Sequence, residues 1–182
     1  MTLKTRATID DLYRESGKAE IVNGEIVRMS PTGRRPNRVA LEITISLREY
    51  EKRTKIGVAV ADNAAFQVDL PNRESFSPDA AFYVGPDSKM KFFEGPPMFA
   101  VEVRSEGDYG PAAESEMAEK RRDYFAAGTL VVWDVDILSA DVIVRVYRST
   151  EPKRPTLYRR GDIAEAEPAV PGWKMSVDDM FG

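Results

Sequence analysis

Two carboxylates and one lysine are the residues of this chain best placed to do chemistry. Asp79 follows Ser77-Pro78, and Glu102 lies in the run Phe99-Ala100-Val101-Glu102-Val103-Arg104. Each acid sits where a buried strand begins or runs, and Lys120 falls within the apolar stripe of a predicted helix. An isolated buried charge is costly, so groups in such places pair with each other or hold a metal. Two acids, a lysine and a divalent cation together make a site able to cut phosphodiesters.

Side chains alternate along the strand expected at 98–104, so Met98, Ala100, Glu102 and Arg104 share one face and Phe99, Val101 and Val103 the other. A carboxylate and a guanidinium therefore emerge together near a strand end, where crevices open in α/β sheets. A plain Glu–Arg pair at a sheet margin is the simpler alternative. Pro78 fixes the approach of the chain to Asp79, which otherwise reads as a turn aspartate. At about 100° per residue, Ala113, Met117, Lys120, Tyr124 and Ala127 fall on one helical face, while Glu116, Glu119, Arg122 and Asp123 fall off it. A lysine on that stripe either snorkels to solvent or meets an acid of the adjacent sheet. The preceding strand supplies Glu102, so a Lys120–Glu102 contact is expected, with Tyr124 one turn further on as a possible addition.

Glu20 and Glu25 flank an Asn23-Gly24 turn, and one of them could complete the site. Arg34, Arg35 and Arg38, in and just beyond a Pro/Gly loop, are candidates for phosphate contact. Lys52-Arg53-Thr54-Lys55 closes the following helix, where cations complement the dipole and need no other role.

The elements that must position these groups are legible in outline. Thr8 caps a short helix through Tyr13, and Ala19 to Met29 forms a hairpin around Asn-Gly. Val39, Ile43, Leu47 and Tyr50 predict a helix from about Asn37 to Lys55. One or two strands follow over 57–68, then a turn at 71–75, a strand at 79–84 and a surface loop at 85–97. Residues 98–104 read as a strand buried on both faces. A helix over 111–127 has Pro111 at its start and Gly128 as its cap. Strands at 129–135 and 141–148 should pair. A short strand near Leu157-Tyr158 and a small helix near Val177-Met180 end the chain. The order predicts a mixed α/β (α+β) fold in one domain over residues 1–182.

Composition narrows the chemistry. The chain has 182 residues, 42% hydrophobic and 31% charged, which are globular values. It has no cysteine and no histidine. Disulfides, thiolate or imidazole metal sites, cysteine nucleophiles and histidine bases are thereby excluded, leaving carboxylates, lysine, arginine and tyrosine. Hard oxygen ligands suit Mg²⁺ or Mn²⁺. With a net charge of −4, any contact with nucleic acid must use local basic patches. The run Met1-Thr2-Leu3-Lys4-Thr5-Arg6 lacks the apolar core of a signal peptide, and no stretch approaches the roughly 20 apolar residues of a membrane span. A cytoplasmic address is expected.

These motifs, taken in order, resemble those of the Uma2 family, the DUF820 group of bacterial restriction-endonuclease-like proteins within the PD-(D/E)XK nuclease superfamily. The resemblance covers nearly the whole chain. It rests on Ala19-Glu20-Ile21-Val22-Asn23-Gly24-Glu25-Ile26-Val27 with Met29-Ser30-Pro31, on Ser77-Pro78-Asp79, and on Pro97 to Val103 with Ser105. It continues through Lys120-Arg121-Arg122-Asp123-Tyr124-Phe125-Ala126-Ala127-Gly128 and Val132-Trp133-Asp134-Val135-Asp136. It implies a restriction-endonuclease-like core, a mixed central sheet flanked by helices with acids at one edge of a cleft. Asp79 matches the first acid of the motif, Glu102 the second, and Lys120 a motif lysine moved to the following helix. Glu20 matches an additional acid. Two positions depart from the family. Asn37 stands near a place commonly held by histidine, and Ser105-Glu106 replaces Ser-Pro. Arg104 stands where the superfamily lysine or a family aliphatic would be, and could either mimic that lysine or neutralise Glu102 and weaken metal binding.

The resemblance implies a metal-dependent endonuclease acting on DNA. Asp79, Glu102 and the Val103 carbonyl would hold Mg²⁺ or Mn²⁺, the two acids within about 6–7 Å of each other. Lys120 would orient the attacking water. A homodimer is expected. Two alternatives stay open: a nuclease fold that has lost turnover and binds nucleic acid, and a homo-oligomeric interaction protein whose acids and lysine form only an ion network.

Overall fold

The computed structural model describes residues 5–182. Positions 1–4, part of the run read above for a targeting segment, lie outside the described residues. Thr8 caps α1 (Ile9–Tyr13) in a reciprocal box with Asp11. The hairpin of β1 (Ala19–Val22) and β2 (Glu25–Arg28) turns at Asn23 and Gly24, whose φ angles of 53° and 74° are both left-handed. Helix α2 (Arg34–Thr54) buries Val39, Ile43, Leu47 and Tyr50, the residues whose spacing predicts it. Then come β3 (Val58–Ala61), β4 (Phe66–Leu70), β5 (Arg73–Phe76), β6 (Ala80–Tyr83), β7 (Phe93–Glu94) and β8 (Phe99–Val103). Helix α3 (Pro111–Ala127) leads into β9 (Val131–Val135), β10 (Val142–Arg148), β11 (Glu151–Arg159), β12 (Ile163–Glu165) and β13 (Lys174–Ser176), followed by a 3-10 turn at Asp178–Phe181.

The strands form a six-stranded sheet in the order β11-β10-β9-β8-β6-β3, a five-stranded sheet in the order β2-β1-β5-β4-β7, and the pair β12-β13. In the larger sheet β8 and β9 run parallel, joined by α3, and the other neighbours are antiparallel. Alternation along its central strands sorts the core into two layers. Phe82, Phe99, Val101, Val103, Trp133 and Val135 pack with α2 and with Trp173 of the C-terminal segment. Ala81, Tyr83, Ala100 and Val132 pack with Phe66, Val68 and Phe76 of the smaller sheet and Tyr124 of α3. Glu102 has the parity of Ala100, so it projects into the layer between α3 and the smaller sheet.

Several elements differ from expectation, each for a physical reason. The expected turn at 71–75 is confined to Pro71 and Asn72. Arg73 to Phe76 is strand β5, with Arg73 and Ser75 buried, and polar inward residues conceal a strand from a hydrophobic pattern. The expected loop at 85–97 contains β7. The short strand near Leu157-Tyr158 is the nine-residue β11, an exposed edge strand whose Pro152 and Pro155 are tolerated only at an edge. Strands β12 and β13 were not foreseen. Arg34 and Arg35 stand in the first turn of α2 rather than in the preceding loop, because Gly33 already serves as N-cap. Among the described residues, no helix is long and apolar enough to cross a membrane.

Candidate active site

Lys120 lies at the centre of a charged network between the two sheets. Its Nζ is 2.9 Å from Glu102 Oε1 and 2.8 Å from Glu20 Oε1. The expected Lys120–Glu102 contact is thus present, and the hairpin acid that joins it is Glu20, whereas Glu25 is exposed. Glu20 is 3% exposed, yet each oxygen is satisfied: Arg73 donates to Oε2 at 2.7 Å, and the Ser77 N–H donates to Oε1 at 2.7 Å. The Tyr124 hydroxyl donates to Glu102 Oε1 at 2.7 Å while its ring stacks on Phe76 at 4.0 Å, which fixes the phenol by packing.

Asp79 reaches the same layer from the start of β6. Its Oδ2 accepts the backbone N–H of Val103 at 2.7 Å, and its own N–H donates to the Val101 carbonyl at 3.0 Å. The first acid is therefore tied across the β6–β8 pair to the strand carrying the second. Its Oδ1 meets a residue that sequence reasoning missed. Lys18 Nζ is 2.7 Å from Asp79 Oδ1 and 2.7 Å from Asp62 Oδ1. A signal was available: Lys18 precedes Glu20 by two residues at the entry to β1, so both belong to one strand face.

A second missed residue is Asp123, expected off the helical stripe but buried. It accepts from Arg73 at 2.8 Å and from Asn72 at 2.9 Å, so α3 is fastened to the β4–β5 turn by ionic contact in addition to the apolar packing of Tyr124. Arg73 is concealed in the sequence because its segment has the composition of a turn.

Arg104 does not neutralise Glu102. Its guanidinium grips Asp134 at two points, both 2.7 Å, and also pairs with Glu114 in the first turn of α3. Asp134 is the register partner of Glu102 on β9, so the neighbouring strand supplies Arg104 with its own acid and leaves Glu102 to Lys120 and Tyr124. Arg38 pairs with Glu42 at 2.7 Å along α2, and Arg34 and Arg35 are exposed at its start.

Electrostatics follow from the arrangement. Burial would raise the Glu20 carboxyl, but Lys120 and Arg73 outweigh it and hold the group below its ordinary value. For Glu102 burial wins: Lys120 opposes it, Asp79 and Glu20 reinforce it, and the carboxyl is raised. Burial would lower the Lys120 ammonium, but Glu102 and Glu20 raise it far above its usual range. Burial, then Glu102 and Glu20, push the Tyr124 phenol well up, so it stays a donor. Ion pairs join Glu20, Glu102 and Asp123 to Lys120 and Arg73, and Asp62 and Asp79 to Lys18, the two groups being linked through the Val103 N–H. Each group is left with one negative charge in excess, and at Glu102 burial is the main cause of the raised carboxyl, with Asp79 and Glu20 adding to it. An all-oxygen donor set with this excess fits a hard divalent cation. Among the described residues no three acidic side chains converge as a ready-made metal cage. A cation here would draw on Asp79, Glu102, the Val103 carbonyl and water.

The model of the Uma2 family, described as "putative restriction endonuclease", matches residues 7–178. A crystal structure of "a putative nuclease belonging to DUF820" from Anabaena variabilis is similar in fold, with a TM-score of 0.73 over 96% of this chain and 97% of that one, at 16% sequence identity. No curated protein matches the chain.

Proposed function

This chain belongs to the Uma2 family, and on that premise we propose that it is a metal-dependent endonuclease hydrolysing DNA phosphodiesters, with Asp79, Glu102 and Lys120 as its catalytic residues. The observation that carries the proposal is the Lys120 ammonium set between Glu102 and Glu20, with Asp79 fastened to the residue following Glu102. Its place in the PD-(D/E)XK superfamily is part of the proposal. Mg²⁺ or Mn²⁺, held by Asp79, Glu102 and the Val103 carbonyl, would supply charge stabilisation and a lowered pKa for bound water.

The chain's own groups divide the remaining work. Lys120 keeps its proton, so it serves not as a base but as a fixed positive charge that orients water and offsets charge developing on the phosphate. Glu20, itself pinned by Arg73 and the Ser77 N–H, holds Lys120 in place. Tyr124 donates to Glu102 and fixes the rotation of its carboxylate. Arg34 and Arg35, exposed at the start of α2, are proposed phosphate contacts, with Arg38 beside them. A homodimer is proposed as well, with the exposed edge strand β11 available for a second copy. Light scattering at micromolar concentration checks it, and a monomer would count against it.

One observation favours a second reading. Lys18 already supplies positive charge to Asp79, as in a purely structural ion network inside an interaction module. Isothermal titration with Mn²⁺ and Mg²⁺ separates the two. The endonuclease assignment predicts one binding event in the wild type and its loss in Asp79→Ala. No binding in the wild type would leave the structural network as the better explanation. Salt-dependent DNA binding would then distinguish a nucleic-acid-binding module from an oligomeric one.

A further inference from the structure

Lys18 is bound to the first acid of the site, Asp79, where neither the family motif nor the catalytic assignment uses it. Its side chain is 13% exposed and held by two carboxylates at equal distances of 2.7 Å, Asp62 Oδ1 and Asp79 Oδ1. The other oxygen of Asp79 is committed to the Val103 N–H. Oδ1 is the Asp79 oxygen with no backbone bond, so a cation that takes it leaves the Val103 contact undisturbed and meets the ammonium of Lys18. A metal bound there at about 2.1 Å would lie within about 5 Å of the ammonium, and two cations so close repel strongly. Asp62 is anchored independently of the site, because its Oδ1 also accepts the Asn63 N–H at 2.8 Å. The ammonium can therefore leave Asp79 and keep Asp62 without a large movement of the chain.

We propose that Lys18 is a built-in competitor for the divalent cation, exchanging between a position shared by Asp79 and Asp62 and a position on Asp62 alone as the metal binds. The proposal rests on the metal-binding assignment of Asp79. It gives Asp62 a role without making it a ligand: Asp62 receives the displaced ammonium. Lys18 then sets the affinity of the site for metal, and removing it tightens binding.

The test is calorimetric titration of Mn²⁺ into the wild type, Lys18→Met, Asp62→Asn and the double variant, with a thermal melt of each protein before titration. Lys18→Met is expected to bind Mn²⁺ about tenfold more tightly, the effect of removing one positive charge a few ångströms from a divalent ion in a partly solvated site. Asp62→Asn is expected to weaken binding by about threefold in the wild type and by less when Lys18 is already methionine. Equal or weaker affinity in folded Lys18→Met overturns the proposal while leaving the metal site intact. An equal effect of Asp62→Asn in both backgrounds overturns the exchange onto Asp62. Absence of binding in every protein removes the metal assignment, and this proposal with it. If Lys18→Met fails to fold, Lys18→Gln takes its place in the same comparison, with the same outcomes.

Discussion

Asp79 accepts the Val103 N–H at 2.7 Å, so the first acid of the site holds in place the residue directly after the second. This bond makes Asp79 structural as well as chemical. Asp79→Ala leaves the N–H without its acceptor and releases Lys18, at an expected cost of about 1–3 kcal/mol. Asp79→Asn keeps an acceptor oxygen and should cost less. Urea unfolding of the two variants checks this, and equal costs would show that the bond contributes nothing to stability.

Lys120→Met fills the volume of the lysine stem but strands two acids. Arg73 and Ser77 still serve Glu20, and Tyr124 still serves Glu102, so the loss should fall near the lower end of the about 3–5 kcal/mol typical when one partner of a buried pair is removed. Adding Glu102→Gln should recover part of that loss, because it removes the charge left uncompensated. A double-mutant cycle from chemical denaturation reads the coupling, and strictly additive effects would contradict the contact's energetic role.

Glu20 predicts a response to acid. Its folded carboxyl lies below the ordinary value of 4.5, so its contribution to stability is complete above that pH and is lost as pH falls through the lower folded value. Glu102 is raised and acts in the opposite sense. Between neutral pH and pH values below 4.5, the wild type should therefore lose more stability than Glu20→Gln, and the difference isolates Glu20. Parallel acid profiles for the two proteins would contradict the depressed carboxyl.

Arg104 is expected to support the fold and leave the metal alone. It serves Asp134 and Glu114, so Arg104→Met should cost about 3 kcal/mol of stability by leaving buried Asp134 to the longer 3.7 Å contact with Arg121. Its affinity for Mn²⁺ should match the wild type. Tighter binding in that variant would revive competition between Arg104 and the metal for Glu102.

What the sequence reveals of this site depends on how charge is spaced along a regular element. Lys120 was visible because a lysine interrupts the pattern Ala113, Met117, Tyr124, Ala127, and Glu102 because it interrupts an apolar strand. Arg73 and Asp123 are not legible as site residues, since each sits beside a turn or among other charges and is buried by contacts distant in sequence, Arg73 with Glu20 and Asp123 with Asn72, while the only sign of Lys18 is its two-residue spacing from Glu20. The same limit hid β5 and shortened β11, one with buried polar residues and the other with almost no buried residues. Parity placed Arg104 correctly on the face of Glu102, but its partner depended on Asp134, which the parallel register of β8 and β9 brings alongside.

The most direct test of a metal-dependent nuclease at Asp79 and Glu102 is cleavage of supercoiled plasmid in Mn²⁺ at low salt, comparing the wild type with Glu102→Gln purified in parallel. The substitution keeps the side chain's shape and its hydrogen bond from Tyr124 while removing its charge. The expected result is slow nicking by the wild type, suppressed by chelator and by added salt, and none by Glu102→Gln. Equal nicking by both proteins, or none by a wild type that is folded and loaded with metal, would contradict it.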